Sequence, residues 1–208
     1  MVTNFFKISA LVALVPIPLP LICARSSSSS ISCPAFSIAK IIEPIGNNDY
    51  KPSVARWNMA TGEINPMPYE YPDLKKVRFI YTASAEHQLY VQCYTQYDLM
   101  TICDFNGNLK CNIYGPKWVN EKTQTQHYSL GVEFCGDKIL ALYSGGDHRT
   151  DAYYPTKFLV FDLNGNYLKT LETGYMITDF CYDKENNRLI INLNDEIQFA
   201  YLDLEGII

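Results

Sequence analysis

Val160-Phe161-Asp162-Leu163-Asn164-Gly165-Asn166 decides the fold. An apolar strand runs into an aspartate, turns at asparagine-glycine, and a new strand begins. Asparagine-glycine between two strand patterns is the strongest short hairpin signal. The turn stands earlier as Asp104-Phe105-Asn106-Gly107-Asn108, with variants at Asn58-Met59-Ala60-Thr61-Gly62 and Asp203-Leu204-Glu205-Gly206. A second landmark, Leu89-Tyr90-Val91, returns as Ile139-Leu140-Ala141 and Leu189-Ile190-Ile191, at equal intervals of fifty residues. Repetition at that period is the mark of stacked β-units.

Outward from Asp162, the clearest unit runs from Leu130 to Glu172. Leu130 to Cys135 alternates as a strand, Gly136-Asp137 turns, and Lys138 to Tyr143 is nearly continuous in apolar residues. Ser144 to Tyr154 reads as a polar loop, Lys157 to Leu163 as a third strand, and Asn166 to Glu172 as a more polar outer one. Four antiparallel strands, apolar inside and polar outside, describe a propeller blade. Lys76 to Thr82, Gln88 to Tyr94, Met100 to Phe105 and Asn108 to Tyr114 form a second. Tyr175 to Tyr182, Asn187 to Leu193 and Glu196 to Leu204 supply three strands of another, and Ser53 to Asn58 with Glu63 to Tyr69 supply two. The fold expected is all-β, an incomplete β-propeller of about three to three and a half four-stranded blades. Phe36 to Ile42 is the candidate for the missing outer strand of the last blade, zipping the ring shut.

Composition agrees with this. Aromatics make up 13% of the chain and charged residues only 19%, which suits strands and argues against disorder. Lysine and arginine are scattered and the formal net charge is −5, so the basic stripe that nucleic acid requires is absent. The N-terminus differs in kind. Lys7 precedes an apolar run from Ile8 through Ile22, the layout of a secretory signal, and its three prolines oppose a spanning helix. Two processing routes stay open: cleavage after Ala24, or lipidation of Cys23. The expected organisation is a signal peptide or lipoprotein signal over 1–24, a serine-rich tether over 25–45 containing Ser26 to Ser30, and a partial propeller over 46–208.

Seven cysteines occur with no Cys-x-x-Cys pair and no His-x-x-x-His pair, so the common zinc spacings are missing. Cys93, Cys103, Cys135 and Cys181 lie in strand patterns and are expected to pack as small hydrophobes. A Cys93–Cys103 disulfide across a hairpin turning near Gln96 to Leu99 is the alternative. The aspartate turns mimic the start of a calcium loop, but its twelfth-position glutamate is replaced by Gly115 and Thr173. Arg78, Glu133 and Asp179 each precede a phenylalanine and read as one repeat position on the innermost strands. Glu133 and Asp179 are the weak metal candidates there. Asp147, His148 and Arg149, in the Gly145-Gly146 loop, are the weak ligand-binding candidates. No Gly-x-Ser-x-Gly elbow is present, and His87, His127 and His148 fall in turns or polar segments.

Leu140 to Gly145, Val160 to Asn166, Phe180-Cys181-Tyr182-Asp183 and Asn187-Arg188-Leu189 resemble the TolB-like six-bladed propellers of bacterial cell envelopes. The likeness covers roughly residues 76–208 and is strongest after Leu130. It implies the C-terminal half of a six-bladed ring, in a protein exported to the periplasm or held at the cell surface as a lipoprotein. The likeness bears on the fold and little on activity; the activity expected of the chain is binding, by loops at one mouth of the blades, with no cofactor. Open blade edges imply a protein partner or self-association, and a membrane is met only through a lipid anchor. Calcium in the central channel belongs to the rival reading, a calcium-dependent hydrolase or lactonase. A truncated remnant with no activity of its own is the third.

Overall fold

A computed structural model describes residues 5–7, 36–47, 49–67, 74 and 77–208. The short Phe5–Lys7 (β1) runs parallel to a later outer strand, Tyr167–Glu172. The rest is four antiparallel sheets in chain order. The first holds Phe36–Gly46 (β2), Asp49–Asn58 (β3) and Ile64–Pro66 (β4). The second holds Phe79–Ser84 (β5), Leu89–Tyr94 (β6), Leu99–Asp104 (β7) and Leu109–Tyr114 (β8). The third holds Thr125–Cys135 (β9), Lys138–Asp147 (β10), Lys157–Asp162 (β11) and Tyr167–Glu172 (β12). The fourth holds Ile177–Asp183 (β13), Arg188–Leu193 (β14) and Phe199–Asp203 (β15). This is an open arc of propeller blades, as the repeat implies.

Sheet stacks on sheet through three apolar clusters. Ile38, Val54 and Met67 meet Tyr90, Tyr94 and Leu99 between the first and second sheets. Val91, Cys93 and Met100 meet Tyr128, Val132 and Ala141 between the second and third. Leu140, Leu142 and Phe158 meet Phe180, Leu189 and Leu202 between the third and fourth. Strands β6 and β10 therefore bury side chains on both faces, which explains their unbroken apolar sequence.

The hairpin turns are near-identical in detail. Gly107 and Gly165 both have φ +85°, and their N–H groups donate to the carbonyls of Asp104 and Asp162 at 3.0 Å. Each aspartate side chain also accepts from the backbone two and four residues on, at 2.8–2.9 Å. Asn58 and Asp203 anchor the other two turns through the same residue, accepting from Ala60 and Glu205 at 2.9 and 3.0 Å. A calcium loop is thus replaced by a turn whose carboxylate is filled by its own backbone.

Several expectations are corrected. Phe36–Gly46 does not close the last blade: it pairs with β3 from Phe36↔Asn58 to Gly46↔Asp49. A tight connection makes that hairpin local, so it forms without a ring-spanning return. The folded body consequently reaches back to Phe36 and takes in residues assigned to the tether. The signal, Cys23, Ala24 and the serine run lie outside the described residues, apart from Phe5–Lys7, as do 68–73 and 75–76 at the ends of two expected strands.

Cys93 and Cys103 do not form a disulfide. In the β6–β7 register Cys93 lies opposite Met100 and Cys103 opposite Tyr90, and the two thiols enter different clusters on opposite faces. Cys181 is at the surface rather than in the core. Strand β9 begins five residues before the expected Leu130, and β10 runs on to Asp147, into the first part of the predicted loop. Leu130 takes φ +68° at the register break, so the strand bulges and continues where the sequence reads as a start.

Candidate functional site

Register, not spacing, decides which inner-strand residues are equivalent. Asp104, Asp162 and Asp203 pair with Leu89, Lys138 and Arg188. Those in turn pair with Ser84, Cys135 and Asp183 on the inner strands. The repeat interval is therefore 49 residues and then 50, and the first landmark is displaced by one. Counting back from these pairs makes Thr82, Glu133 and Cys181 equivalent. Arg78, Glu133 and Asp179 do not share one repeat position, because two successive phenylalanine dipeptides fall at different heights on their strands.

Glu133 and Asp179 nevertheless feel each other. Burial pushes the Glu133 carboxyl up, the charge of Asp179 adds to that, and a hydrogen bond from Thr82 opposes it. The Thr82 contact joins β5 to β9, so Glu133 reaches across to the preceding sheet. Asp179 is exposed and accepts from the N–H of Phe180 at 2.8 Å. Among the described residues no group of three or more His, Cys, Asp or Glu could hold a metal ion. Arg78, exposed, donates to the Tyr50 hydroxyl at 3.0 Å, far along the first hairpin.

The Asp147-His148-Arg149 segment caps the long β9–β10 hairpin, at the end opposite the Gly136-Asp137 turn. Asp147 pairs with Thr125, and the His148 N–H and ring Nδ1 both contact the Gln124 carbonyl, at 3.1 and 2.9 Å. Asp147 Oδ1 accepts from the Arg149 N–H at 2.9 Å, and that bond holds its carboxyl below the usual carboxylate range, helped by the Arg149 guanidinium. Behind them Ser144 Oγ bonds the Ala152 carbonyl at 2.7 Å and accepts from Gly146 at 3.0 Å. A Cβ on Gly146 would stand 1.9 Å from that carbonyl oxygen, so only glycine fits. The tip is braced from within, while His148, Arg149 and Thr150 face solvent.

Beneath this tip is a polar cluster that the sequence does not disclose. His127 lies on β9, not in a loop, and is 1% exposed, as is Asp98. The His127 ring Nδ1 is 3.3 Å from the Tyr143 hydroxyl and 3.8 Å from Asp98 Oδ1. Asp98 Oδ2 accepts from the Lys117 N–H at 2.9 Å, while Oδ1 finds no hydrogen-bond partner among the protein atoms. Burial pulls the His127 imidazole below its ordinary value; Asp98 opposes this and Lys117 adds to it. Gln124 to Ser129 holds Tyr128 as its one apolar residue and shows no alternation, so only the bulged continuation of β9 reveals that His127 turns inward. The remaining histidine, His87, contacts the Gly136 carbonyl at 2.8 Å and links the second sheet to the third.

Comparison with solved structures places this arc among known folds. The extracellular domain of the putative hybrid two component system BT4673 from B. thetaiotaomicron matches 80% of this chain and 20% of its own, at TM-score 0.53 and 11% identity. Hydrazine synthase of Kuenenia stuttgartiensis matches 74% of this chain and 40% of its own, at TM-score 0.52 and 12% identity. BamB from Moraxella catarrhalis matches 72% and 38%, at TM-score 0.46 and 16% identity. The chain spans less than half the length of each of these. At such identities the likeness is one of fold. No protein-family model matches the sequence, and no curated protein does.

Proposed function

We propose that the chain is an exported, envelope-associated interaction module of the TolB-like propeller kind, which recognises a protein through the mouth formed by the β9–β10 tip. The observation that carries this is the braced Asp147–Thr150 turn, with solvent-facing His148 and Arg149 held in place by Ser144, Gly146 and Gln124. A loop fixed before binding loses little conformational freedom on contact, which favours recognition. Export rests on the N-terminal signal pattern, and a lipid at Cys23 is the anchored form of the same reading. The test is a photoreactive side chain placed at Arg149 in intact cells. A discrete cross-linked protein product is expected there and not from Asp137, at the opposite end of the hairpin. Equal labelling at both positions would sink the reading.

The calcium-dependent hydrolase is favoured only by the Asp179 charge acting on the buried Glu133 carboxyl, which a cation would relieve. Under the interaction reading, Glu133→Ala with Asp179→Ala leaves calcium titration heats unchanged. Abolition of a wild-type calcium signal by the pair would instead establish the rival.

A further inference from the structure

Each sheet of the arc offers one face to the sheet before it and one to the sheet after it. The aspartate-anchored register identifies the residues at matching places. Facing forward on the second strands are Val91, Leu140 and Ile190, and opposite them on the third strands are Ile102, Val160 and Tyr201. Val91, Leu140, Ile102 and Val160 are all 0% exposed because the next sheet covers them. Ile190 is only half-buried, and Tyr201 is 37% exposed. One row along, Met100 and Phe158 are sealed while Phe199, at their place, is 55% exposed.

The first sheet shows the converse. Its anchor Asn58 pairs with Phe36, which sets Trp57 at the backward-facing place of Cys103, Phe161 and Leu202. Those three are at most 9% exposed, each covered by the sheet before it; Trp57 is 41% exposed and its cross-strand neighbour Ile64 is 52% exposed. The two ends of the arc are therefore the two halves of the contact made three times inside the chain: a forward apolar face on the fourth sheet and a backward one on the first.

We infer that a second copy of this chain is the occupant, with the fourth sheet of one copy, through Ile190, Phe199 and Tyr201, stacked on Trp57 and Ile64 in the first sheet of the other. This deepens the interaction reading proposed above by adding a self-contact separate from the β9–β10 tip. The contact is head-to-tail, so it joins two different surfaces and produces either a closed ring or an open series of copies. Continuity with the internal stacking argues for this occupant, since Ile190, Phe199, Tyr201 and Trp57 keep at these places the apolar or aromatic class that packs inside the chain, while Asn192 replaces Cys93 and Leu142 and Arg188 lies over the Tyr201 ring.

The test uses the full chain with Tyr201→Arg and, separately, Trp57→Arg, both at exposed positions. Light scattering with size exclusion is expected to show wild type above monomer mass and each variant as monomer, at least tenfold weaker in association. Mixed in equal amounts, the two variants regain one intact contact, between the first sheet of the Tyr201→Arg copy and the fourth sheet of the Trp57→Arg copy. A discrete heterodimer is expected. Tyr201→Thr and Trp57→Thr, which keep strand preference, repeat the experiment should either arginine variant lose its far-ultraviolet spectrum. A monomeric wild type overturns the inference, as does a mass loss with Tyr201→Arg alone or a native-like mixture that stays monomeric. None of these outcomes touches cross-linking at Arg149, so the two readings fail separately.

Discussion

At the scale of single residues, the most consequential side chain is His127. It is enclosed beside Asp98, Lys117 and Tyr143, and burial holds its imidazole below the ordinary value of 6.5. An unfolded chain therefore binds a proton at His127 at a pH where the folded chain does not. Stability must fall as pH drops through that value, because proton uptake then favours unfolding. We expect the urea midpoint to decline between pH 7.5 and 5.5, and His127→Gln to flatten the decline. An unchanged slope in the variant would place the sensitivity elsewhere. The carboxylates of Asp147 and Asp162 do not enter this window, since both are held below the usual range. Little of this was legible beforehand. Glu133 stands on an inner strand, and register gives it Thr82 and Cys181 as equivalents rather than Arg78 and Asp179, because dipeptide likeness carries no information about register. His127 reads as part of a polar segment because a bulge, not a pattern, turns it inward.

At the scale of elements, the hairpins were the readable part. Asparagine-glycine, with an aspartate two residues ahead of it, specifies their geometry locally, and no distant contact is needed to form it. Gly165 makes the dependence testable. Its φ of +85° is a conformation that alanine enters at a cost of about 1–2 kcal/mol. A Cβ there would also meet Cys111 Sγ at 2.7 Å, from the outer strand of the preceding sheet. Gly165→Ala is expected to lower stability by at least that backbone cost, measured by urea denaturation. A second substitution, Cys111→Ala, should return part of the loss by clearing the contact. Failure of the second change to help would place the effect in backbone strain or in the Ile113 side chain, which a Cβ there meets at 3.0 Å. What the sequence could not convey is length: β9 and β10 extend through polar residues because their extra pairs, Gly146↔Gln126 and Asp147↔Thr125, are held by backbone bonds and the Ser144 brace.

At the scale of the molecule, sheet order follows from the repeat, whereas the placements of Phe36–Gly46 and of Phe5–Lys7 do not. A hairpin partner that begins at Asp49, directly after Gly46 and a tight turn, is reached with far less loop entropy than a strand at the far end of the arc. The local pairing therefore wins over ring closure, and among the described residues two faces of the arc stay uncovered. Its stability should grade accordingly. Leu140 and Ile190 hold the same place in successive sheets, one sealed by the fourth sheet and the other facing outward. Leu140→Ala deletes a fully buried side chain and should cost about 2–5 kcal/mol. Ile190→Ala, measured at a dilution where copies separate, should cost less than half of that. At high concentration its cost should rise, because the methyl groups removed then belong to the contact between copies. Equal costs for the two positions at every concentration would mean that the fourth sheet's outer face is already covered within one chain.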